Sequence, residues 1–205
     1  MGNGKDVILK RIVLTEWEMF QQVKGIDGRA DCQDDFETFV IMRSSQFDSW
    51  EENVLASYLF DLEEAKEADR NLIMEKYAYM MAETDPQYFN QIKHLLPPVS
   101  EEVYFLAERI TNYYLKWEQE VEAKYPRVRM QGRPAEDLGS GPVSIHNYLR
   151  SELMTYSQKT LMLLLASIEA KPDLNRYKDS LNRMAKAYGY RNLDDAEYEL
   201  SKQQG

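Results

Sequence analysis

The residues whose type and spacing could do chemistry are charges set into apolar stripes. Glu16 interrupts a helical stripe of Leu9, Ile12, Val13, Phe20 and Val23. Arg43 interrupts another, Phe36, Phe39, Val40, Phe47 and Trp50, with Gln46 beside it. Glu152 lies at the edge of a third, Ile145, Leu149, Leu153, Tyr156, Thr160 and Leu164. Two acids and one arginine therefore point inward from three helices. An unpaired charge there costs several kcal/mol, so these groups need partners. Two chemistries satisfy that need. One is a buried ion-pair network that fixes helix register, for which arginine's planar fork is suited. The other is a polar pocket in a bundle core that holds a small anionic or zwitterionic ligand. In that pocket Arg43 grips the negative group or orients a glutamate, and Glu16 or Glu152, its pKa raised by burial, serves as catalytic acid or base. The residues leave both readings open.

The densest polar stretch is Gly28-Arg29-Ala30-Asp31-Cys32-Gln33-Asp34-Asp35. It precedes the second helix, where backbone N–H groups and Arg29 suit an anion, although Asp34 and Asp35 compete with one. In the pocket reading Arg29, Cys32 and Gln33 stand at the mouth, with Tyr156 close by. Cys32, near a helix start, is a candidate thiolate. The spacing brings neither His94 nor His146 to it as a base, and a small buried hydrophobe is the commoner role for a lone cysteine. No phosphate loop and no dinucleotide fingerprint is present, and neither histidine has the Glu-x-x-His spacing of di-iron bundles. No metal is expected on histidine, the residues leave any cofactor unassigned, and carboxylate-only Mg²⁺ binding stays open.

The elements that must position these residues read as helices. No glycine falls between residues 29 and 131, where strands joined by tight turns would need them. The spacing predicts an all-α, single-domain bundle of about seven to nine helices over residues 1–205. Helices are expected from Asp6 to Val23, from a cap at Asp34 or Asp35, from a Ser49 capping box to about Lys66, and from Asp69 to near Thr84. Further helices are expected at Pro86–His94, Ser100–Lys124, Ser144–Ala170 and Asp173–Ala187, with a short one over Asp194–Lys202. Residues 125–143 are expected to form an irregular loop carrying Arg127, Arg129 and Arg133. Tyr113, Tyr114 and Trp117, and likewise Tyr77, Met80 and Met81, fall at core spacing.

Composition narrows the partners. The 205 residues carry 25 basic and 35 acidic side chains, a net charge of −10, which argues against binding a nucleic-acid backbone. A 43% apolar content with 14 tyrosines excludes an acidic disordered tail. One cysteine makes no internal disulfide, the first apolar run is broken by Lys10 and Arg11, and no run is long enough to span a membrane. A cytoplasmic protein without a membrane partner is the expectation.

Glu16-Trp17-Glu18-Met19-Phe20, the block Gly28 to Asp35, Thr38-Phe39 and Met42-Arg43-Ser44-Ser45-Gln46-Phe47 resemble an uncharacterised bacterial family, domain of unknown function 4125. The resemblance extends to Glu75-Lys76-Tyr77-Ala78-Tyr79-Met80-Met81 and to the block Tyr148 to Ser157, and so covers nearly the whole chain. Ser151 stands where the family usually has glycine. The resemblance implies no reaction; for a partner it points to a nucleotidyltransferase-like protein. An interaction module is thus the alternative to the ligand pocket. In that module the inward charges are structural, and the arginine-bearing loop or the acidic third helix, with Asp61, Glu63, Glu64 and Glu67, docks a protein.

Overall fold

In the computed structural model, residues 4–25, 28–133 and 143–203 are described, and among them every regular element is helical. There are eleven α-helices. In chain order they are α1 (Gly4–Gln21), α2 (Phe36–Phe47), α3 (Glu52–Glu67), α4 (Leu72–Thr84), α5 (Pro86–Ile92), α6 (Glu101–Lys124), α7 (Pro126–Met130), α8 (Ile145–Leu153), α9 (Gln158–Glu169), α10 (Arg176–Ala187) and α11 (Leu193–Gln203). Single 3₁₀ turns occupy Asp31–Asp34 and Lys93–Leu95.

The all-helical expectation is met with more helices than the seven to nine predicted, and two local events account for the excess. The first is that the expected helix from Ser144 to Ala170 is two. Ser144 caps α8 through the N–H of Asn147, but Ser157 then caps a new helix through the N–H of Thr160. Between them the Thr155 hydroxyl donates to the Glu152 carbonyl, satisfying an acceptor that a continuous helix would have used itself. The second is that the arginine-bearing loop begins with a helix. Pro126 opens α7, and the Glu197 carboxylate, reaching across from α11, accepts the N–H groups of Arg127 and Val128. Residues 134–142 of that expected loop lie outside the described residues.

Four predicted helix starts move: α1 already runs from Gly4, ahead of Asp6, and Asn175 rather than Asp173 caps α10 through the N–H of Lys178. Asn71 rather than Asp69 caps α4, Asp69 sitting at φ +56° in the turn before it. Helix α3 starts after Glu51 because Ser49 donates back to the Gln46 carbonyl and Trp50 closes a turn onto Phe47. Asp35 is the cap of α2, through the N–H of Thr38.

Packing joins the helices into a ring: α1 lies on α3, α3 on α9, α9 on α6, α6 on α8, α8 on α4, and α4 on α1. The pair α2 and α10 bridges α1 to α6. The ring encloses Ile12, Phe47, Val54, Leu55, Tyr58, Leu62, Ile110, Leu161, Leu164 and Ile168, all essentially without solvent contact. Each large aliphatic or aromatic chain so buried contributes about 1.5–3 kcal/mol. A smaller cluster of Val121, Tyr125, Ala185, Leu193 and Ala196 ties α6, α10 and α11 together. Arg176 is wholly buried and makes no salt bridge among the described residues; it donates to the carbonyls of Ser49, just past α2, and Ser167, in the last turn of α9. Those carbonyls are the negative ends of two helices, which is where a cation is stabilised. No helix among the described residues is long and apolar enough to cross a membrane.

Candidate functional site

Where α1, α2, α3, α4 and α8 converge, the inward charges meet. The Arg43 guanidinium donates from Nε to Glu16 Oε2 at 2.7 Å and from Nη2 to Glu16 Oε1, a bidentate pair. Its Nη1 reaches Glu152 at 3.1 and 3.2 Å and Gln46 Oε1 at 2.9 Å. Gln46 Nε2 closes the triangle onto Glu152 at 3.0 Å, and Arg43 rests on the Phe47 ring. Two tyrosines complete the carboxylates: Tyr58 donates to Glu16 at 2.6 Å and Tyr156 to Glu152 at 3.0 Å. Lys76 supplies the second cation, 3.2 Å from Glu152 and 2.9 Å from the Tyr148 hydroxyl. Exposures of 0% for Glu16, 6% for Arg43, 3% for Lys76 and 2% for Glu152 leave almost no solvent contact.

Two carboxylates and two cations make the cluster neutral, and none of its buried nitrogens or oxygens lacks a hydrogen-bond partner. The electrostatics follow. Burial pushes Glu152 up, but the cations of Arg43 and Lys76, with hydrogen bonds from Gln46 and Tyr156, outweigh it and hold the carboxyl down to about 2. Burial works against the charge of Arg43, yet Glu152 and Glu16 raise its pKa well above the ordinary value. Burial, reinforced by the adjacent carboxylates, pushes the Tyr58 and Tyr156 hydroxyls well up, so both remain donors. The raised pKa that acid–base work asks of a glutamate is therefore reversed at Glu152: paired cations, rather than burial alone, set its charge.

Of the residues expected from sequence, Glu16, Arg43, Gln46, Glu152 and Tyr156 come together. Tyr156 does so from the turn between α8 and α9. Arg29, Cys32 and Gln33 do not join them. Arg29 bonds Gln21, Asp34 and the Gln33 carbonyl, while Gln33 is buried and donates to the carbonyls of Phe20 and Val23 past the end of α1. Those bonds make Gln33 a clasp on the α1–α2 connection. Cys32 is exposed and lies near Tyr77, whose hydroxyl is pushed up by burial, by Tyr148 and by Cys32 against the pull of Lys76 and Arg133. Lys76, Tyr58 and Tyr148 were missed. Lys76 sits three residues after Ile73 and four before Met80, so the same stripe-breaking pattern marked it.

Open space lies outside the charged groups themselves and reaches the cluster at Tyr156. A cleft of about 500 Å³ is lined by Tyr79, Phe89, Pro97, Pro98, Tyr104 and Arg150 among others. A second, of about 350 Å³, shares Tyr79, Pro97, Pro98, Val99 and Met154 with the first and ends at Asp61 and Glu64 of α3. Neither is lined by Glu16, Arg43, Gln46 or Glu152. Among the described residues no group of three or more His, Cys, Asp or Glu side chains is placed to hold a metal ion.

Fold and site together define an all-helical protein organised around a buried, neutral charge cluster. Residues 6–198 of the 205 match the family described as Protein of unknown function (DUF4125), and the chain belongs to that family. No curated protein and no solved structure matches it.

Proposed function

We propose that the protein is a non-catalytic interaction module. Its Glu16–Arg43–Glu152–Lys76 cluster fixes the register of four helices, and it docks a partner along the joined clefts at Pro97–Val99. The observation that supports this most is the completeness of the cluster: a ligand-holding core would leave donors facing open space, and these face one another. Glu152, ionised down to about 2, is also a poor proton acceptor near neutral pH.

The clefts describe their occupant. Their shared middle is apolar and proline-lined, with buried Tyr79 at its floor and the half-buried ring of Phe89 and the exposed ring of Tyr104 nearby. At one end Lys93 pairs, among the described residues, only with Asn90, while the guanidinium of Arg150 is already shared by Glu83 and Glu108. At the other end Asp61 accepts a backbone N–H from Ser157, and Glu64 makes no ion pair among the described residues. An extended segment of a partner protein fits this pattern if it is apolar in the middle, acidic where it meets Lys93, and basic where it meets Asp61 and Glu64.

Photo-crosslinking tests this directly. With a benzophenone amino acid in place of Tyr104 or Phe89, in cells, one adduct is expected whose attached segment, mapped by mass spectrometry, is apolar and flanked by Lys or Arg. The adduct should be lost in Asp61→Lys/Glu64→Lys. Equal labelling from Met162, outside both clefts, or an adduct indifferent to the charge reversal, refutes the assignment.

A further inference from the structure

Three arginines fall in the segment after α6, and two are committed internally. Arg127 pairs with Glu197, and Arg129, buried, pairs with Glu118. Arg133 has no carboxylate partner among the described residues. Its guanidinium lies 4.1 Å over the Tyr148 ring, and its one side-chain hydrogen bond is a 3.5 Å contact to the Val143 carbonyl. Lys76 lies against the same ring at 4.4 Å while donating to the Tyr148 hydroxyl. Two cations therefore share one aromatic side chain.

Among the described residues the charges around that ring do not cancel: Glu16 and Glu152 offset Arg43 and Lys76, and Arg133 is one positive charge beyond them, within a chain whose net charge is −10. The excess cation is also held in place. Arg129, itself anchored on Glu118, donates to the Arg133 carbonyl at 2.5 Å, and Tyr148 supports the guanidinium from α8. Tyr77 stands beside Lys76, the ring 5.2 Å from Nζ, and its hydroxyl makes no hydrogen bond among the described residues.

We infer that Arg133, Lys76 and the hydroxyls of Tyr77 and Tyr148 form a binding site for the phosphate group of a small phosphorylated molecule. The planar fork of Arg133 matches two phosphate oxygens at once, and Lys76, buried and tied to Glu152, adds a fixed point charge. A phosphate monoester near pH 8 carries close to two negative charges, against one for a carboxylate, and so is drawn more strongly to the excess charge of Arg133, with Lys76 and the tyrosine hydroxyls as further donors. The site shares no residue with the clefts, so it stands or falls independently of the docking surface.

Calorimetric titration with inorganic phosphate at pH 8 and low salt is the test. One-to-one binding is expected, weakened roughly tenfold or more in Arg133→Met, several-fold in Tyr77→Phe, and unchanged in Arg191→Met, an exposed arginine paired with Asp195. Circular dichroism checks that each variant is folded. Wild-type protein gives a second readout: phosphate should shield Arg133, mapped by mass spectrometry, from phenylglyoxal. No binding by wild type, equal binding by Arg133→Met, acetate binding as tightly as phosphate, or unshielded Arg133 would each overturn the inference.

Discussion

Replacing Arg43 with methionine removes both bonds to Glu16 and both contacts to Glu152 while nearly keeping the side chain's length. The consequences are unequal. Glu152 retains Lys76, Gln46 and Tyr156, but Glu16 is left with Tyr58 alone at 0% exposure. Stripping one partner from a buried pair costs about 3–5 kcal/mol, because the remaining charge is neither solvated nor compensated. In a chain of this size each kcal/mol moves Tm by about 2–4 °C, so a fall of roughly 6–20 °C is expected. Glu16→Gln in the same background removes the stranded charge and leaves Glu152 and Lys76 as a neutral pair. The double variant should therefore recover about 2 kcal/mol relative to Arg43→Met, a coupling within the range of directly bonded neighbours. Urea melts of wild type, both single variants and the double variant, followed by circular dichroism and tryptophan fluorescence, complete the cycle. An Arg43→Met protein within about 1 kcal/mol of wild type would refute the structural role of the cluster. So would losses that simply add.

Other expected outcomes follow from single residues. The folded-state pKa of Glu152 is depressed from 4.5 to about 2, so its contribution is complete above pH 4.5 and is lost as pH falls toward 2. At 1.36 kcal/mol per unit that is roughly 3 kcal/mol, and a Glu152→Gln protein should show a shallower loss of Tm over this window; parallel curves would contradict the assignment. Ser157→Ala removes the cap of α9 and should cost about 1 kcal/mol in a denaturant melt, whereas a neutral result would mean the break at residues 154–157 is set by packing alone. Gly189 has φ +92° after α10 with open space around it, so alanine there should cost about 1–2 kcal/mol through backbone strain alone; an unchanged melting midpoint would show that the turn rearranges freely.

Much of this protein is legible along the chain because helices are local. Caps, prolines and the 3.6-residue period act within a few positions, so Asp35, Asp85, Ser100 and Ser144 marked true helix starts, and Asp85-Pro86 announced α5 before any contact was known. Inward charges were legible for the same reason: Glu16 and Arg43 break stripes that their own neighbours define. Lys76 broke its stripe too, but a lysine beside Tyr77 reads equally well as an aliphatic stem reaching solvent, and nothing local says otherwise. The split of the expected helix 144–170 was obscured because Thr155 and Tyr156 continue its period, and the break is made by the Thr155 bond to the Glu152 carbonyl together with the Ser157 cap of α9.

What the chain could not decide was who faces whom. Sequence placed two acids and an arginine on three separate helices, and whether they bound one another or a ligand depended on distances across residue separations of 27 and 109. The tertiary structure brings Lys76, Tyr58 and Gln46 to the same point, so that the buried charges sum to zero and the Glu152 pKa is held down. It likewise assigned Gln33 to the end of α1, took Arg129 into the core beside Glu118, and left Arg133 against Tyr148. A residue's own neighbours determine whether it turns inward; only the packing of distant helices determines whether it arrives there with its charge already answered.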